Sequence, residues 1–288
     1  MRILIVNADD LGADSARNRG IFEAIEAGRV TSVSVLVNGG ASRDGIRRLV
    51  SYDRPLSVGI HINLSEGRPV SSGLRRLTGP DGAFLGKWFC HRLLEWQDDK
   101  NLEAEIRQEL SAQIEFLIRT GLSVTHLDGH QHVHVFPAVI GPAIETARGY
   151  GIPWVRIPEE HDIPTGQGEK DGGETAEVAT FAKFGAAARA FLDTSGGIRA
   201  TDHFRGLRLK GRLSMGVVDE LLDNLPDGTT ELMVHPGRAA TDRAASPFSA
   251  FSTDEREREL CTLLDPEFPR LLEKYDITLT RFSEAELQ

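Results

Sequence analysis

Thr125-His126-Leu127-Asp128-Gly129-His130-Gln131-His132-Val133-His134 gathers four of the chain's 9 histidines around one aspartate, directly after a short apolar run. A neutral imidazole offers a nitrogen lone pair near physiological pH, so this density points to a divalent metal. The stretch reads as a short strand over 124–127 opening into a polar turn at the mouth of a fold. A surface loop merely rich in histidine would have the same composition, so its meaning depends on what the rest of the chain brings to it.

On its amino side the pattern alternates strand and helix. Residues 3–6 (Ile-Leu-Ile-Val) form a continuous aliphatic run, the signature of a strand buried on both faces in a parallel sheet. It ends in Asn7-Ala8-Asp9-Asp10-Leu11-Gly12. A helix with Phe22 and Ile25 inward and a stop at Gly28 follows, then a strand over 33–37, a short helix over 42–52, and a third strand over 56–64 carrying His61. Residues 65–87 have the glycines, prolines and small polar residues of a long loop. Leu102, Ile106, Leu110, Ile114 and Leu117 make one apolar stripe and predict a helix over 101–120.

Beyond the histidine cluster the spacing predicts a helix over 137–150, a strand over 154–157, a polar loop over 158–173 and an alanine-rich helix over 176–193. A weak strand is expected just before Thr201-Asp202-His203, then a helix over 213–225 and a buried strand over 231–234 running into His235-Pro236-Gly237. A helix over 255–264 and a last strand over 277–280 complete the chain. No repeat, low-complexity tract or linker interrupts the alternation, so residues 1–288 are expected to form a single α/β domain. About seven such units favour an irregular (β/α) barrel with parallel strands.

The chain has 33 Lys plus Arg against 43 Asp plus Glu, a net charge of −10, which disfavours nucleic acid or an anionic membrane surface as the main partner. Two distant cysteines, Cys90 and Cys261, argue against a disulfide framework or a cysteine-based zinc site. The opening apolar run is too short for a signal peptide or a membrane span, and a cytoplasmic protein is expected.

The polar residues have a shared position. Asp9 and Asp10 end the first strand, His61 the third and His130 follows the fourth; Arg156 is late in the fifth, Asp202 and His203 lie near the sixth, and His235 ends the seventh. In parallel α/β folds these carboxyl ends meet at one face, where active sites form. One carboxylate and two imidazoles, with positions left open, suit a catalytic metal. Adjacent side chains of an extended segment point to opposite faces, so Asp9 and Asp10 are expected to take separate roles, one on the metal and one as a base. Zinc is the first choice for such donors and magnesium an alternative.

Asn-Ala-Asp-Asp-Leu-Gly (7–12), Gly-Ile-His-Ile-Asn-Leu (59–64), the cluster at 125–134, Val-Arg-Ile-Pro (155–158) and Met-Val-His-Pro-Gly (233–237) together resemble, in order, the motifs of the YdjC-like carbohydrate deacetylases. The resemblance implies a barrel related to polysaccharide deacetylases and removal of an acetyl group from an N-acetylated sugar such as a chitooligosaccharide or an N-acetylglucosaminyl glycolipid. It implies Asp10, His61 and His130 as metal ligands, Asp9 as catalytic base, His235 as general acid, and Arg156 as the group that orients or neutralises a carboxylate, by preference Asp9. It also suggests a homodimer. His132 and His134 are expected as supporting residues or substrate contacts rather than primary ligands, Asp202 as a substrate contact, and Trp88 as a stacking platform, with the loops at 65–87 and 158–174 shaping the sugar site. Competing readings are a metallohydrolase acting on an O-acetyl ester or phosphoester, and an inactive sugar-binding protein.

Overall fold

The computed structural model describes residues 1–96, 98–160, 172–242, 244 and 246–285. Strand β1 (Arg2–Leu11) is its axis. On one side of it lie β2 (Ser32–Val35), β3 (Ser57–Ile62), β4 (Val124–Gly129) and β5 (Trp154–Val155), and on the other β7 (Gly228–Val234) and β6 (His203–Arg205). The order is β5-β4-β3-β2-β1-β7-β6 and the pairings are parallel. A further strand, β8 (Ile277–Leu279), pairs with Arg2–Leu4, leaving the continuation of that edge from Asn7 onward to β2. The sheet curls into a half-barrel. Among the described residues β5 and β6 do not join; only an isolated bridge from Trp154 to Arg199 spans the seam.

Helices α1 (Ser15–Glu26), α2 (Ser42–Val50), α3 (Lys87–Leu94), α4 (Lys100–Ile118), α5 (Pro137–Gly149), α6 (Gly172–Ser195), α7 (Met215–Asp223), α8 (Asp254–Leu264) and α9 (Glu267–Lys274) occur in chain order between and after the strands. The aliphatic core lies where their apolar faces meet the outside of the sheet, and the α4 stripe from Leu102 to Leu117 is buried there. Helices α3 and α9 are not foreseen from the sequence. In α3 only Cys90 and Leu94 face inward while Trp88 and Phe89 are exposed, so no apolar stripe marks it. Strand six also differs: it is His203–Arg205 itself rather than the residues before Thr201.

The long loop after β3 is held by α4. The buried Glu109 carboxylate accepts from Val70 N and Ser71 N, and Glu105 accepts from Arg75 N, Arg76 N and Leu77 N. Most of the second expected loop, 161–171, lies outside the described residues.

Inside the curl the side chains are polar. Asn7, Ser34, His126, Asp128 and Glu231 are fully buried there, below the carboxyl ends of the strands, and Ile5, Trp154 and Phe282 form a separate apolar cluster. Gly59 on β3 leaves room for the His126 ring; a Cβ at that position would lie 2.3 Å from His126 Nε2. No helix among the described residues is long and apolar enough to cross a membrane.

Candidate active site

Both aspartates of the first motif line the same cavity, against the expectation that they point apart. The reason is a β-bulge. The β1–β2 register shifts between Ala8 and Leu11, and Asp10 sits at φ 66 in the left-handed region. A bulge interrupts the strand's two-residue alternation and re-aims a side chain, and aspartate accepts the left-handed conformation more readily than most non-glycine residues. Asp9 and Asp10 still have separate surroundings, and those surroundings set their chemistry.

Asp10 Oδ1 lies 2.8 Å from His130 Nδ1 and 3.3 Å from His61 Nε2. Its other oxygen accepts from Arg17 Nη1 at 2.8 Å. Burial would raise the Asp10 pKa, but His130, His61 and Arg17 outweigh it and hold the carboxyl well below its ordinary value. Each ring's second nitrogen also faces a carboxylate: His61 Nδ1 is 2.8 Å from Asp128 Oδ1, and His130 Nε2 is 3.2 Å from Glu66 Oε2. Burial disfavours charge on the His61 ring, yet Asp128, Asp9 and Asp10 raise its pKa to about 10; Asp10 and Glu66 raise that of His130 in the same way.

These three side chains bring one ligand atom each within 4.8 Å of one another. One carboxylate oxygen and two imidazole nitrogens suit a divalent cation, and metal-binding imidazoles commonly set their second N–H against a carboxylate. The residues therefore fit the group. Asp9, His61 and Asp128 meet the same spacing, but there the Arg156 guanidinium already holds the two carboxylates.

Arg156, on the turn after β5, makes two parallel 2.7 Å hydrogen bonds to Asp9. It also reaches Asp128 Oδ2 and Glu231 Oε1, each at 2.8 Å. Burial raises the Asp9 pKa, with the Arg156 charge pulling it back; burial likewise lifts Glu231 to about 7 against the same guanidinium. His235 stands at the end of β7 with Nε2 4.0 Å from Asp9 Oδ2 and Nδ1 4.0 Å from Glu259 Oε2. Its backbone N–H donates to Glu259 at 2.7 Å. Burial, then the Arg256 charge, holds its ring well below the ordinary histidine pKa.

The cavity above these groups has a volume of about 590 Å³, the size of a small-ligand site. Asp9, Asp10, His61, His130, His132 and His235 all line it. His134 does not: it is buried, and its Nε2 donates to the Arg156 carbonyl, supporting that residue's backbone. Trp88 stands 78% exposed outside the cavity, while its neighbour Lys87 lines the rim paired to Glu177. Asp202 is a correction. It precedes β6, and its carboxylate accepts from Thr229 N at the amino end of β7, away from the strand ends that form the cavity.

Arg17, Glu66 and Glu259 touch the site and are not signalled by the sequence. Arg17 lies seven residues after Asp10, on the first turn of α1, and only the fold turns it back. Glu66 belongs to the long loop, where Asn63 Oδ1 accepts from Ser65 N and Glu66 N and so holds the residue behind His130. Asp128 and Ser34 complete the layer below, Ser34 donating to Asp128 Oδ2 at 2.6 Å.

The described residues thus form a curled α/β half-barrel with a buried carboxylate–imidazole cluster at the carboxyl ends of its strands. More particularly, the family model described as YdjC-like protein matches residues 3–274, and the chain belongs to that family. It is 35% identical to a mouse protein and 36% identical to a human protein, each named carbohydrate deacetylase; the alignments cover 98% of this chain and 94% and 91% of theirs. In solved structures the chain resembles a protein of Enterococcus faecalis V583 named for cellobiose-phosphate cleavage, with a TM-score of 0.74 and 23% identity over 98% of each chain; that likeness is one of fold.

Proposed function

We propose that this protein is a cytoplasmic, divalent-cation-dependent hydrolase that removes the N-acetyl group from an amino sugar, either a chitooligosaccharide or an N-acetylglucosaminyl glycolipid, and releases acetate. The observation that carries this reading is the convergence of Asp10, His61 and His130 with Asp9 and His235 on one cavity. The names of the mammalian relatives support the carbohydrate and the acetyl group. Asp10, His61 and His130 would hold the cation, with zinc preferred on donor chemistry and magnesium the alternative. When bound there, it would supply Lewis acidity to the amide carbonyl and to water.

The chain's own groups do the rest. Asp9, lifted in pKa by burial and fixed by Arg156, takes the proton of the attacking water. Arg156 keeps both oxygens of that carboxylate in register and offsets part of the cost of burying it. His235, 4.0 Å from Asp9, is held neutral at rest by burial. It receives the water-derived proton from Asp9 and passes it to the leaving nitrogen, the lowered pKa making the transiently charged ring a strong donor. Such separations commonly tighten when substrate is bound. A homodimer forms part of the reading, and light scattering on the purified protein tests it.

The deciding experiment measures acetate release from a panel of N-acetylglucosamine oligosaccharides and glycolipids, using cation-loaded protein, chelated protein and Asp9→Asn. Cation-dependent release that Asp9→Asn abolishes supports the reading, and the best substrate names the class. Release only from O-acetyl esters, or binding of sugars with no release at all, sinks it.

A further inference from the structure

Neither the proposed cation site nor the proton transfers use His132. The ring is buried at 6% exposure, lines the cavity and stands edge-on to Phe181 at 4.9 Å between ring centroids. The backbone holds it unusually: Gln131 and His132 have φ of 53 and 55, two consecutive non-glycine residues in the left-handed region. That conformation is unfavourable for residues with a Cβ, and such outliers gather at functional sites.

The two nitrogens differ. Nδ1 is sealed from solvent and has no hydrogen-bond partner among the described residues. Nε2 also has none among the described residues, but it is not sealed, and it belongs to a ring that lines the cavity. A buried N–H without an acceptor is rarer in folded proteins than a buried acceptor without a donor. The ring proton therefore belongs on Nε2, the nitrogen left open on this cavity-lining ring.

We infer that His132 is a substrate-binding residue whose Nε2–H is presented to an acceptor oxygen of the bound amino sugar, with Nδ1 left bare. The left-handed turn at 131–132 is what aims it. A fixed donor at this place selects ligands that offer oxygen there and disfavours those that offer only N–H or C–H. The substrate half of this inference rests on the proposed deacetylase reading; the tautomer half does not.

The test has two arms. Long-range ¹H–¹⁵N NMR of the metal-free protein without sugar reads the tautomer of His132, assigned by its loss in His132→Phe. A protonated Nε2 and bare Nδ1 are expected; the Nδ1–H tautomer overturns the inference. In the second arm, N,N′-diacetylchitobiose turnover is compared across His132→Phe, which keeps the ring against Phe181, and His132→Gln, which restores an N–H near the Nε2 position. His132→Phe is expected to raise KM about tenfold, the worth of one buried hydrogen bond, and His132→Gln to recover most of it. A merely structural ring gives equal KM for both variants and the parent, which overturns the inference. Absence of turnover in the unaltered protein counts against the deacetylase reading and the sugar contact together, while an Nε2–H tautomer in the first arm still supports the assigned donor.

Discussion

Arg156 grips Asp9 through both ends of its guanidinium, Nη1 to Oδ2 and Nη2 to Oδ1 at 2.7 Å each, while its Nε donates to Glu231. One buried cation thus answers to three buried carboxylates, counting Asp128. Removing it leaves charges with no water to turn to. Arg156→Met is expected to destabilise the fold by about 3–5 kcal/mol, read as a drop in the urea midpoint. A variant within about 1 kcal/mol of the parent would show that water or protonation replaces the guanidinium.

Asp9 and Asp10 sit side by side and are expected to fail differently. Asp9→Asn should lower kcat about 10²–10⁴-fold, the range for a lost general base, with cation affinity kept. Asp10→Asn should lose the cation itself. Zinc titration by calorimetry separates them, and equal affinities in the two variants would contradict the assignment.

Cation binding should release protons. In the metal-free site the carboxylates raise the His61 pKa to about 10, and that of His130 is raised too, so at neutral pH the His61 ring carries a proton that a cation must displace. Affinity should therefore climb as pH rises towards 10, with about one proton or more released per cation at pH 7. The sign for stability is opposite: a raised histidine pKa stabilises the metal-free fold fully below the unfolded value near 6.5, and that contribution is lost as pH rises through about 10. Calorimetry in buffers of different ionisation enthalpy counts the protons; a count of zero at pH 7 contradicts this account.

The buried His126 and His134 and the half-buried His91 act in the other direction. Burial pulls His91 down to about 4 and His126 and His134 down to about 3. Their unfolded pKa is near 6.5, so the unfolded chain binds protons that the folded chain refuses. Stability from these rings is full above pH 6.5 and is lost as pH falls, at up to about 1.4 kcal/mol per pH unit for each of His126 and His134 down to about pH 3. The more solvent-screened His91 contributes less, and its share is gone by about pH 4. Denaturation midpoints between pH 6.5 and 4 should fall, and His126→Asn should flatten the slope. An unchanged slope in that variant would remove His126 from the explanation.

Gly59 and His126 should be coupled. A methyl at residue 59 would meet the buried ring 2.3 Å away, so Gly59→Ala should cost about 1–3 kcal/mol by overpacking. His126→Ser frees that space at the loss of its own hydrogen bonds, and the double variant should be more stable than the two single costs added. Strict additivity in a double-mutant cycle would mean the barrel relaxes around the methyl instead.

Much of this was legible in the order of residues. Ile3 to Val6 and Glu231 to Val234 read as buried strands because parallel strands covered on both faces need continuous aliphatic runs, and the α4 stripe read as a helix because its spacing leaves no other amphipathic choice. The placement of Asp10, His61, His130 and His235 at strand ends follows from the same regularity, since parallel strands put their carboxyl ends on one face. Asp202 misled because strand six was expected before Thr201 and instead spans His203–Arg205, which puts Asp202 at its amino end rather than at its carboxyl end.

The sequence by itself determined the alternation of elements, the end of the sheet where chemistry collects, and the family motifs that run through it. Tertiary structure alone decided the directions of side chains. A bulge at Asp10 turned two neighbouring carboxylates into one cavity, a left-handed turn aimed His132 inward while His134 went to the Arg156 carbonyl, and Arg17, Glu66 and Glu259 arrived from segments that no spacing connects to the motifs. Periodicity is a local property that a chain displays along its length, whereas a backbone bulge and the approach of distant charges are settled by how the sheet curls around them.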